Sequence, residues 1–465
     1  MIAKLNIDFS EYVSNNSAVI SLAVNIGEAI RILEDKKLLI RNAFSLSPRH
    51  EIPYIAQRVE RDKAILFENI EGYKDFRMIF GIYGDRRRLA LTLGLSSGKD
   101  VYKLLWSAIR NPIRPNKIAK TFDVVMVGNE VDLSKLPIPT FYERDKGPYV
   151  TAGIVIAHDP ETGVRNASYH RMTPIGKNKL VVRVVPRDLW KFLRKAHEFG
   201  KDLEAAVIIG VDPATAIAGA TSIPIDHDEL EVANAMLNGE LKVTDGKTIN
   251  VEYPAEVEIV LEGKFLLNES ADEGPFTDIT GTYDIVRKQP VFEVSAILMK
   301  RKPIFHAILP AGSEHRTLMG LPREAKIYHF VSEVTIVHDV YLADWGCGWL
   351  ECVLAIEKRV DDEPVNAGLA AITAHPSLKK IIIVDPDINI RDCNDVYWAV
   401  ITRAHPVRDY IIIPRAKGST LEHTGEPKAK IIIDATIKGD KHIFCKAKIP
   451  ASERVKNVIK ALEVK

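Results

Sequence analysis

The chain has no excess of charge of either sign, with 63 Lys and Arg against 62 Asp and Glu among 465 residues. A surface without a net field gives no electrostatic reason to expect nucleic acid or an anionic membrane as partner. No stretch offers the run of about eighteen apolar residues that a membrane-crossing helix needs. The opening Met1-Ile-Ala-Lys-Leu-Asn-Ile-Asp8 lacks the charged segment, apolar run and small-residue cleavage site of a secretory leader, so the expectation is a soluble, cytoplasmic protein. Cysteine is scarce and irregularly spaced: Cys347, Cys352, Cys393 and Cys445 form no CxxC pair and no Cys/His set for tetrahedral zinc, and are expected to be reduced, structural thiols. Glutamine is nearly absent, Gln57 and Gln289 being the only two, beside abundant Ile, Val, Lys and Glu, a balance shared by proteins of hot environments. There is no internal repeat and no low-complexity tract.

What is present is enough chain for two or three packed units. Residues 1–115 mix helical and strand patterns, and the prolines of Asn111-Pro-Ile-Arg-Pro115 mark a first boundary. From 116 to 330 strand-like runs dominate, among them Gly153-Ile-Val-Ile-Ala157, Leu180-Val-Val-Arg-Val-Val185, Ala205-Ala-Val-Ile-Ile209 and Val291-Phe-Glu-Val-Ser-Ala-Ile-Leu298. Two helices interrupt them, one after Arg187-Asp188 with Leu189, Phe192, Leu193 and Ala196 on one face, the other starting after Asp226 or Asp228 and stopping at Gly239. Many strands with few helices point to a barrel or sandwich. Residues 331–465 alternate strands with helices as an α/β unit, and Ser452 followed by Val455, Val458, Ile459 and Leu462 predicts a capped amphipathic terminal helix. The fold class expected is multidomain α+β.

In Glu273-Gly-Pro-Phe-Thr-Asp278 the Gly-Pro turn lets two carboxylates face one space, where both cannot ionise cheaply unless a cation neutralises one. A solvated acidic turn is the plainer reading of the segment alone. Arg171, at the end of the polar segment Asn166-Ala-Ser-Tyr-His-Arg171 in the same strand-rich region, is the side chain suited to pair with a carboxylate through two parallel bonds, or to form an ordinary surface ion pair. Glu258, between Val257 and Ile259, is by alternation either a solvent-facing strand residue or a metal ligand.

At these residues the chain resembles the UbiD-type decarboxylases, which use prenylated flavin mononucleotide. The resemblance covers most of the chain and rests on an ordered set: Leu136-Pro-Ile-Pro-Thr140, Asn166 to Arg171, Gly210-Val-Asp-Pro213, Glu258-Ile-Val-Leu-Glu-Gly263, Glu273 to Asp278, and Asp387-Ile-Asn-Ile-Arg-Asp392 leading to Asn394-Asp-Val-Tyr-Trp398. It implies an N-terminal α/β domain, a central flavin-reductase-like split β-barrel and a C-terminal α/β domain. It implies a catalytic network of Arg171, Glu273 and Asp278, with Asp278 as proton donor. It implies that Asn166 and Glu258 ligate a manganese ion bridging the flavin phosphate, and leaves potassium open as a second cation. Where many members carry histidine as third ligand, this sequence has Val185-Pro-Arg-Asp-Leu189; Asp188 either ligates the metal or only caps the helix that follows. Ser168, Tyr169, His170 and Arg183 are expected to line the cofactor pocket, and Lys430 to reach the cofactor phosphate.

The segment from Leu309 to Arg323 resembles the archaeal branch that decarboxylates anhydromevalonate phosphate, giving isopentenyl phosphate and CO2 in isoprenoid synthesis, and His315 and Arg316 are candidates for the substrate phosphate. An aromatic acid such as a polyprenyl hydroxybenzoate is the alternative substrate, and a redox barrel using plain flavin mononucleotide the alternative class. The resemblance further implies a flavin prenyltransferase that supplies the cofactor and a homo-oligomeric assembly.

Overall fold

The computed structural model describes residues 22–440, 446–447, 449–450 and 452–463. The opening Met1–Asp8 segment and Cys445 lie outside them. Among the described residues no helix is long and apolar enough to cross a membrane, and Cys347, Cys352 and Cys393 are free thiols. The chain forms two compact units, one comprising the described residues up to His329 together with Leu342–Leu350, the other Phe330–Tyr341 and the described residues from Glu351 onward.

The first unit opens with helix α1 (Ile26–Asp35). Asn25 accepts from the Glu28 N–H while Glu28 accepts from the Val24 N–H, a reciprocal cap that fixes where the helix starts, and Ile26, Ala29, Ile30 and Leu33 form its buried face. Helices α2 (Glu51–Val59), α3 (Arg86–Thr92) and α4 (Asp100–Arg110) follow, with strands β1 (Leu39–Asn42), β2 (Ala64–Phe67) and β3 (Arg77–Phe80) between them. Their sheet is completed by a strand from much later in the chain, Ile304–His306, which pairs in parallel with β3. The expected boundary near residue 115 is therefore no seam in packing: the N-terminal layer needs a strand from the central segment to cover its edge.

The central segment supplies β4 (Asn116–Lys117), β5 (Val124–Val127), β6 (Ile154–His158), β7 (Arg165–Tyr169), β8 (Met172–Pro174), β9 (Lys179–Val182), helix α5 (Asp188–Glu198), β10 (Leu203–Ile209), helices α6 (Pro213–Gly219) and α7 (Glu229–Met236), β11 (Lys242–Asp245) and β12 (Glu252–Pro254). The long antiparallel pair β13 (Ile259–Glu273) and β16 (Arg287–Met299) frames the short ribbon β14 (Phe276–Thr277) and β15 (Tyr283–Asp284), and β17 is Ile304–His306. Eight strands form one sheet in the order β7-β6-β10-β13-β16-β9-β8, with β5 on β16. The two terminal strands of that path, β7 and β8, are chain neighbours joined by His170 and Arg171, so the sheet is a half-barrel with Arg171 at its open seam. Helix α5 buries Leu189, Phe192, Leu193 and Ala196, as its spacing predicts. Helix α7 takes Asp228, not Asp226, as its cap: Asp228 accepts from the Leu230 N–H. Helix α8 (Ser313–Ser332) follows β17.

In the second unit β18 (Ile336–Leu342), β19 (Glu351–Glu357), β20 (Lys380–Val384), β22 (Ala429–Asp434) and β21 (Tyr410–Pro414) form a sheet in that order, with helices α9 (Glu363–Ala374) and α10 (Cys393–Arg403) in the connections. Helix α11 (Glu453–Glu463) ends the described chain. Ser452 accepts from the Val455 N–H, the cap expected there, and Val455, Val458 and Ile459 are about half exposed.

Candidate active site

A cavity of about 300 Å³ lies in the first unit. One end is built from the half-barrel seam and the acidic turn. Gly274 has φ +91°, a conformation that favours glycine, and an added Cβ would lie 3.0 Å from the Ile285 carbonyl oxygen. This turn leaves Glu273 fully buried at the end of β13 and brings Asp278 to the cavity wall. Arg171 grips Glu273 with Nε and Nη2 at 2.8 and 3.0 Å, donates to Asp284 at 3.0 Å, and stands 3.5 Å from Asp278. Its guanidinium lies over the Phe276 ring at 5.1 Å. The Tyr149 hydroxyl donates to Glu273 at 3.3 Å and accepts from the Gly274 N–H, tying carboxylate and turn together. Asp284, on the ribbon opposite Phe276, was invisible in the sequence. Burial works to raise its pKa, but the bond from Arg287 and the charge of Arg171 hold it below the usual carboxylate range.

His315 also lines this end. Its Nδ1 accepts from the Ala311 N–H at 3.1 Å, so the neutral ring carries its hydrogen on Nε2. Burial pushes its pKa down to about 4, with Arg171 and Arg316 adding to that and Asp278 opposing it. His315 is thus a neutral donor at neutral pH rather than a cation for a phosphate. Arg316 does not line the cavity. Its stem packs against Gly348, where an added Cβ would meet it at 2.8 Å, and its Nε is buried without a partner.

The other end gathers Asn166, Ser168, Asp188 and Glu229. Asn166 and Ser168 project from the same face of β7. Ser168 Oγ is 2.9 Å from Asn166 Oδ1 and 3.0 Å from His170 Nε2, and its single hydrogen serves only one of them. His170 Nδ1 faces the Arg183 carbonyl at 2.9 Å and must donate to it; burial pushes the ring down to about 4, so Nε2 is a bare acceptor. Once Ser168 donates to that nitrogen, Asn166 Oδ1 keeps its lone pairs. The Asn166 amide donates to Glu229 at 3.0 Å. Burial raises the Glu229 carboxyl to about 8, and the charges of Asp228 and Asp188 add to the shift despite a bond from the Ala167 N–H. Asp188 does not cap α5. It is the first helical residue, makes no capping bond, and pairs with Lys191 at 3.0 Å beside the cavity. Among the described residues no three His, Cys, Asp and Glu side chains cluster to hold a metal. The donors here are two carboxylates and an amide oxygen, a hard-oxygen set, and a buried carboxyl held protonated for want of a positive neighbour fits a divalent cation.

Glu258 is not part of this set. It lies just before β13, outside the cavity lining, with one oxygen taken by Lys300 at 3.0 Å and the other by the Ile304 N–H at 3.0 Å, so it anchors β17 to the half-barrel. Glu229 stands where an acidic ligand was expected. Its signal in the sequence was an acid sharing a helix face with Val232, Ala233 and Met236. Lys430 lies in the second unit, where its buried ammonium donates to the carbonyls of Pro376 and Leu378 at 2.6 and 2.5 Å and is spent as a clamp. Tyr169 and Arg183 line the cavity; the Tyr169 hydroxyl is buried without a partner, and Arg183 stands 4.0 Å from Glu273.

Comparison with known proteins bears on the family of the chain. Residues 115–313 match the family model described as 3-octaprenyl-4-hydroxybenzoate carboxy-lyase Rift-related domain, residues 30–107 the N-terminal domain and 316–435 the C-terminal domain of the same carboxy-lyase. The chain is 41% identical to anhydromevalonate phosphate decarboxylase of Methanothermobacter thermautotrophicus over 88% of its own length and 95% of the relative's. It is 45% identical to the enzyme of that name from Methanocaldococcus jannaschii over 72% of its length and 80% of the relative's. Among solved structures, the UbiD-class enzyme HmfF from Pelotomaculum thermopropionicum in complex with FMN is similar with a TM-score of 0.90 at 35% identity, covering 94% of this chain and 99% of that one. With all three domains matched in order and the seam arginine in contact with the acidic turn, the chain belongs to the UbiD family of carboxy-lyases.

Proposed function

We propose that the chain is a prenylated-FMN-dependent decarboxylase of trans-anhydromevalonate 5-phosphate, releasing isopentenyl phosphate and CO2. The observation that carries this reading is one cavity with two specialised ends: an Arg171–Glu273 pair beside Asp278, and the hard-oxygen set Asn166, Asp188 and Glu229. Loss of CO2 leaves an electron pair on carbon that no side chain absorbs, and the bound flavin, with its electron-poor conjugated ring, supplies that sink. The residues of the chain do the rest. Asp278 delivers a proton to the carbon that lost its carboxylate. Arg171, fixed by Glu273 and Asp284, holds Asp278 to one place and balances its charge. His315 offers a neutral N–H to an anionic substrate, while Phe276, Ile308, Leu318 and Met319 keep water from the reacting carbon. Asn166, Asp188 and Glu229 would hold a manganese ion, which would supply positive charge to offset the cofactor's phosphate, and potassium would serve as a second, monovalent cation.

The relatives named anhydromevalonate phosphate decarboxylase support the choice of substrate. The apolar wall favours an aromatic acid as the second reading. Full-length enzyme co-expressed with a flavin prenyltransferase, the maturation partner this reading requires, should release CO2 from the phosphorylated enoic acid. Turnover only of hydroxybenzoates would sink the first choice, and a normal FMN cofactor with hydride-transfer activity would sink the decarboxylase. The half-exposed stripe of α11 is the surface on which copies of this chain would assemble as a homo-oligomer.

A further inference from the structure

The turn that carries His315 to the cavity is strained and is held from outside itself. Ala311 has φ +58°, a left-handed conformation that residues with a side chain rarely adopt and that lasts only where neighbours hold it. Pro310 and His315, on either side of the turn, both line the cavity. The Tyr142 hydroxyl donates to the Pro310 carbonyl at 2.8 Å, and the Ala311 N–H is bonded to His315 itself. A further hold comes from Glu60, 253 residues before Ser313 and just after α2. Its Oε1 accepts from the Ser313 N–H at 2.6 Å, and its main-chain carbonyl accepts from the Ser313 hydroxyl at 3.0 Å. Gly312 has no side chain with which to cap α8, and a Cβ there would lie 2.1 Å from Glu60 Oε1, so another element supplies the cap.

Glu60 is only 2% exposed, and its Oε2 is buried without a partner. The charged and titratable groups about it come from three other elements. Arg88 of α3 donates to the Glu60 carbonyl at 2.6 Å and is paired with Asp85. Glu314 of α8 is bonded to His306 of β17, and Tyr142 stands on the loop before β6. We propose that Glu60 is a positioning residue for the decarboxylation: as a carboxylate it fixes the turn that aims the His315 ring at the anionic substrate, and once protonated it lets that turn relax. This rests on the reading of His315 as a neutral donor to the substrate. A charged acceptor takes the stronger bond from the Ser313 N–H and suits the positive end of α8, and a neutral carboxyl loses both advantages. Burial first, and the charge of Glu314 after it, push the Glu60 carboxyl up to about 7 against the Ser313 N–H and the charge of Arg88, so the change of state falls near neutral pH.

The test compares wild type, E60Q, H315N and the double variant as full-length, cofactor-loaded enzymes. E60Q keeps the shape of the side chain without its charge. KM for the phosphorylated acid should rise about fivefold in E60Q at about pH 8 with kcat nearly unchanged, because a donor that holds substrate and transition state alike acts on binding. The ratio of E60Q to wild-type KM cancels the titration of the substrate's own phosphate, and should fall toward one at about pH 6, where wild type is itself protonated. The double variant should be no worse than H315N. Hydrogen exchange at the His315 ring carbon, followed by mass spectrometry without substrate, should quicken at least about threefold in E60Q. A KM ratio near one at the higher pH, a ratio that ignores pH, losses that multiply in the double variant, or an unchanged exchange rate overturns the proposal. Should wild type not turn over the phosphorylated acid, the substrate reading fails and the exchange rate alone decides on Glu60. If E60Q melts early, S313A, which keeps the carboxyl and loses the hydroxyl bond to Glu60, is judged by the same exchange, where quickening supports the clamp and a wild-type rate rejects it.

Discussion

Replacing Arg171 with alanine should cost about 4 kcal/mol, within the range of roughly 3–5 found when one partner of a buried ion pair is removed. The geometry sets where in that range it falls. Glu273 is fully buried and takes two bonds from the guanidinium, which also faces Asp284 at 3.0 Å and Asp278 at 3.5 Å, so the substitution leaves three carboxylates confronting one another. Arg183 offsets part of this loss. Its Nε is 4.0 Å from Glu273 and 3.8 Å from Asp284 and can turn toward both. The assay is urea unfolding of wild type, R171A, E273Q and the double variant, followed by near-UV circular dichroism. Because the two groups share their bonds, the double variant should be more stable than the sum of the single losses implies, with a coupling of at least about 1.5 kcal/mol. R171K keeps the charge but not the fork and should fall between wild type and R171A. A loss below about 1 kcal/mol for R171A, or strictly additive single losses, would refute the reasoning, because an exposed pair behaves that way.

Other outcomes separate the two ends of the cavity. D278N should abolish CO2 release while the purified protein keeps its flavin spectrum; a variant that turns over removes Asp278 as proton donor. E229A and N166A should lose flavin on gel filtration, whereas E258A should keep it and be less stable by about 1–3 kcal/mol for the orphaned Ile304 N–H and the loss of the nearer of Lys300's two carboxylates, measured by thermal melting. Burial depresses His170 to about 4 from 6.5, so the unfolded chain binds the proton first as pH falls. Stability is therefore full above about pH 6.5 and declines toward pH 4 by on the order of 3 kcal/mol. H170N should flatten that profile, and equal slopes for both proteins would contradict the assignment. Deleting residues 452–465 should lower the mass seen in analytical ultracentrifugation, and an unchanged mass would place the assembly surface elsewhere.

The half-barrel and the meeting of Arg171 with Glu273 and Asp278 were legible because their signals are local. Short apolar runs marked its strands, and a Gly-Pro turn flanked by acids is a compact pattern. The hard-oxygen end was only half legible. Asn166 came with its motif, but Glu229 was hidden behind a capping problem, since Asp226 and Asp228 both looked like the helix start and drew attention from the acid that follows. Glu258 misled for a different reason. Alternation distinguishes the faces of a strand only when one is wet, and here Val257, Glu258 and Ile259 are all buried, so the polar residue signals an internal anchor. Asp284 gave no pattern at all, because what places it is the pairing of Phe276–Thr277 with Tyr283–Asp284. Packing does not follow the boundary expected near 115, as a strand from residues 304–306 completes the N-terminal sheet.

The return of Leu342–Leu350 to the first unit bears on how this gene could be recombined. Glu324 on α8 accepts from the Leu342 N–H at 2.6 Å, and Gly348 leaves room for the stem of Arg316 on the same helix. The segment from 313 to 350 is thus self-matched across an excursion into the other unit. Chimaeras between relatives should tolerate crossovers before Ser313 or after Leu350, and lose soluble expression when the junction falls between them. Neither unit is a contiguous stretch of chain that one cut could free whole.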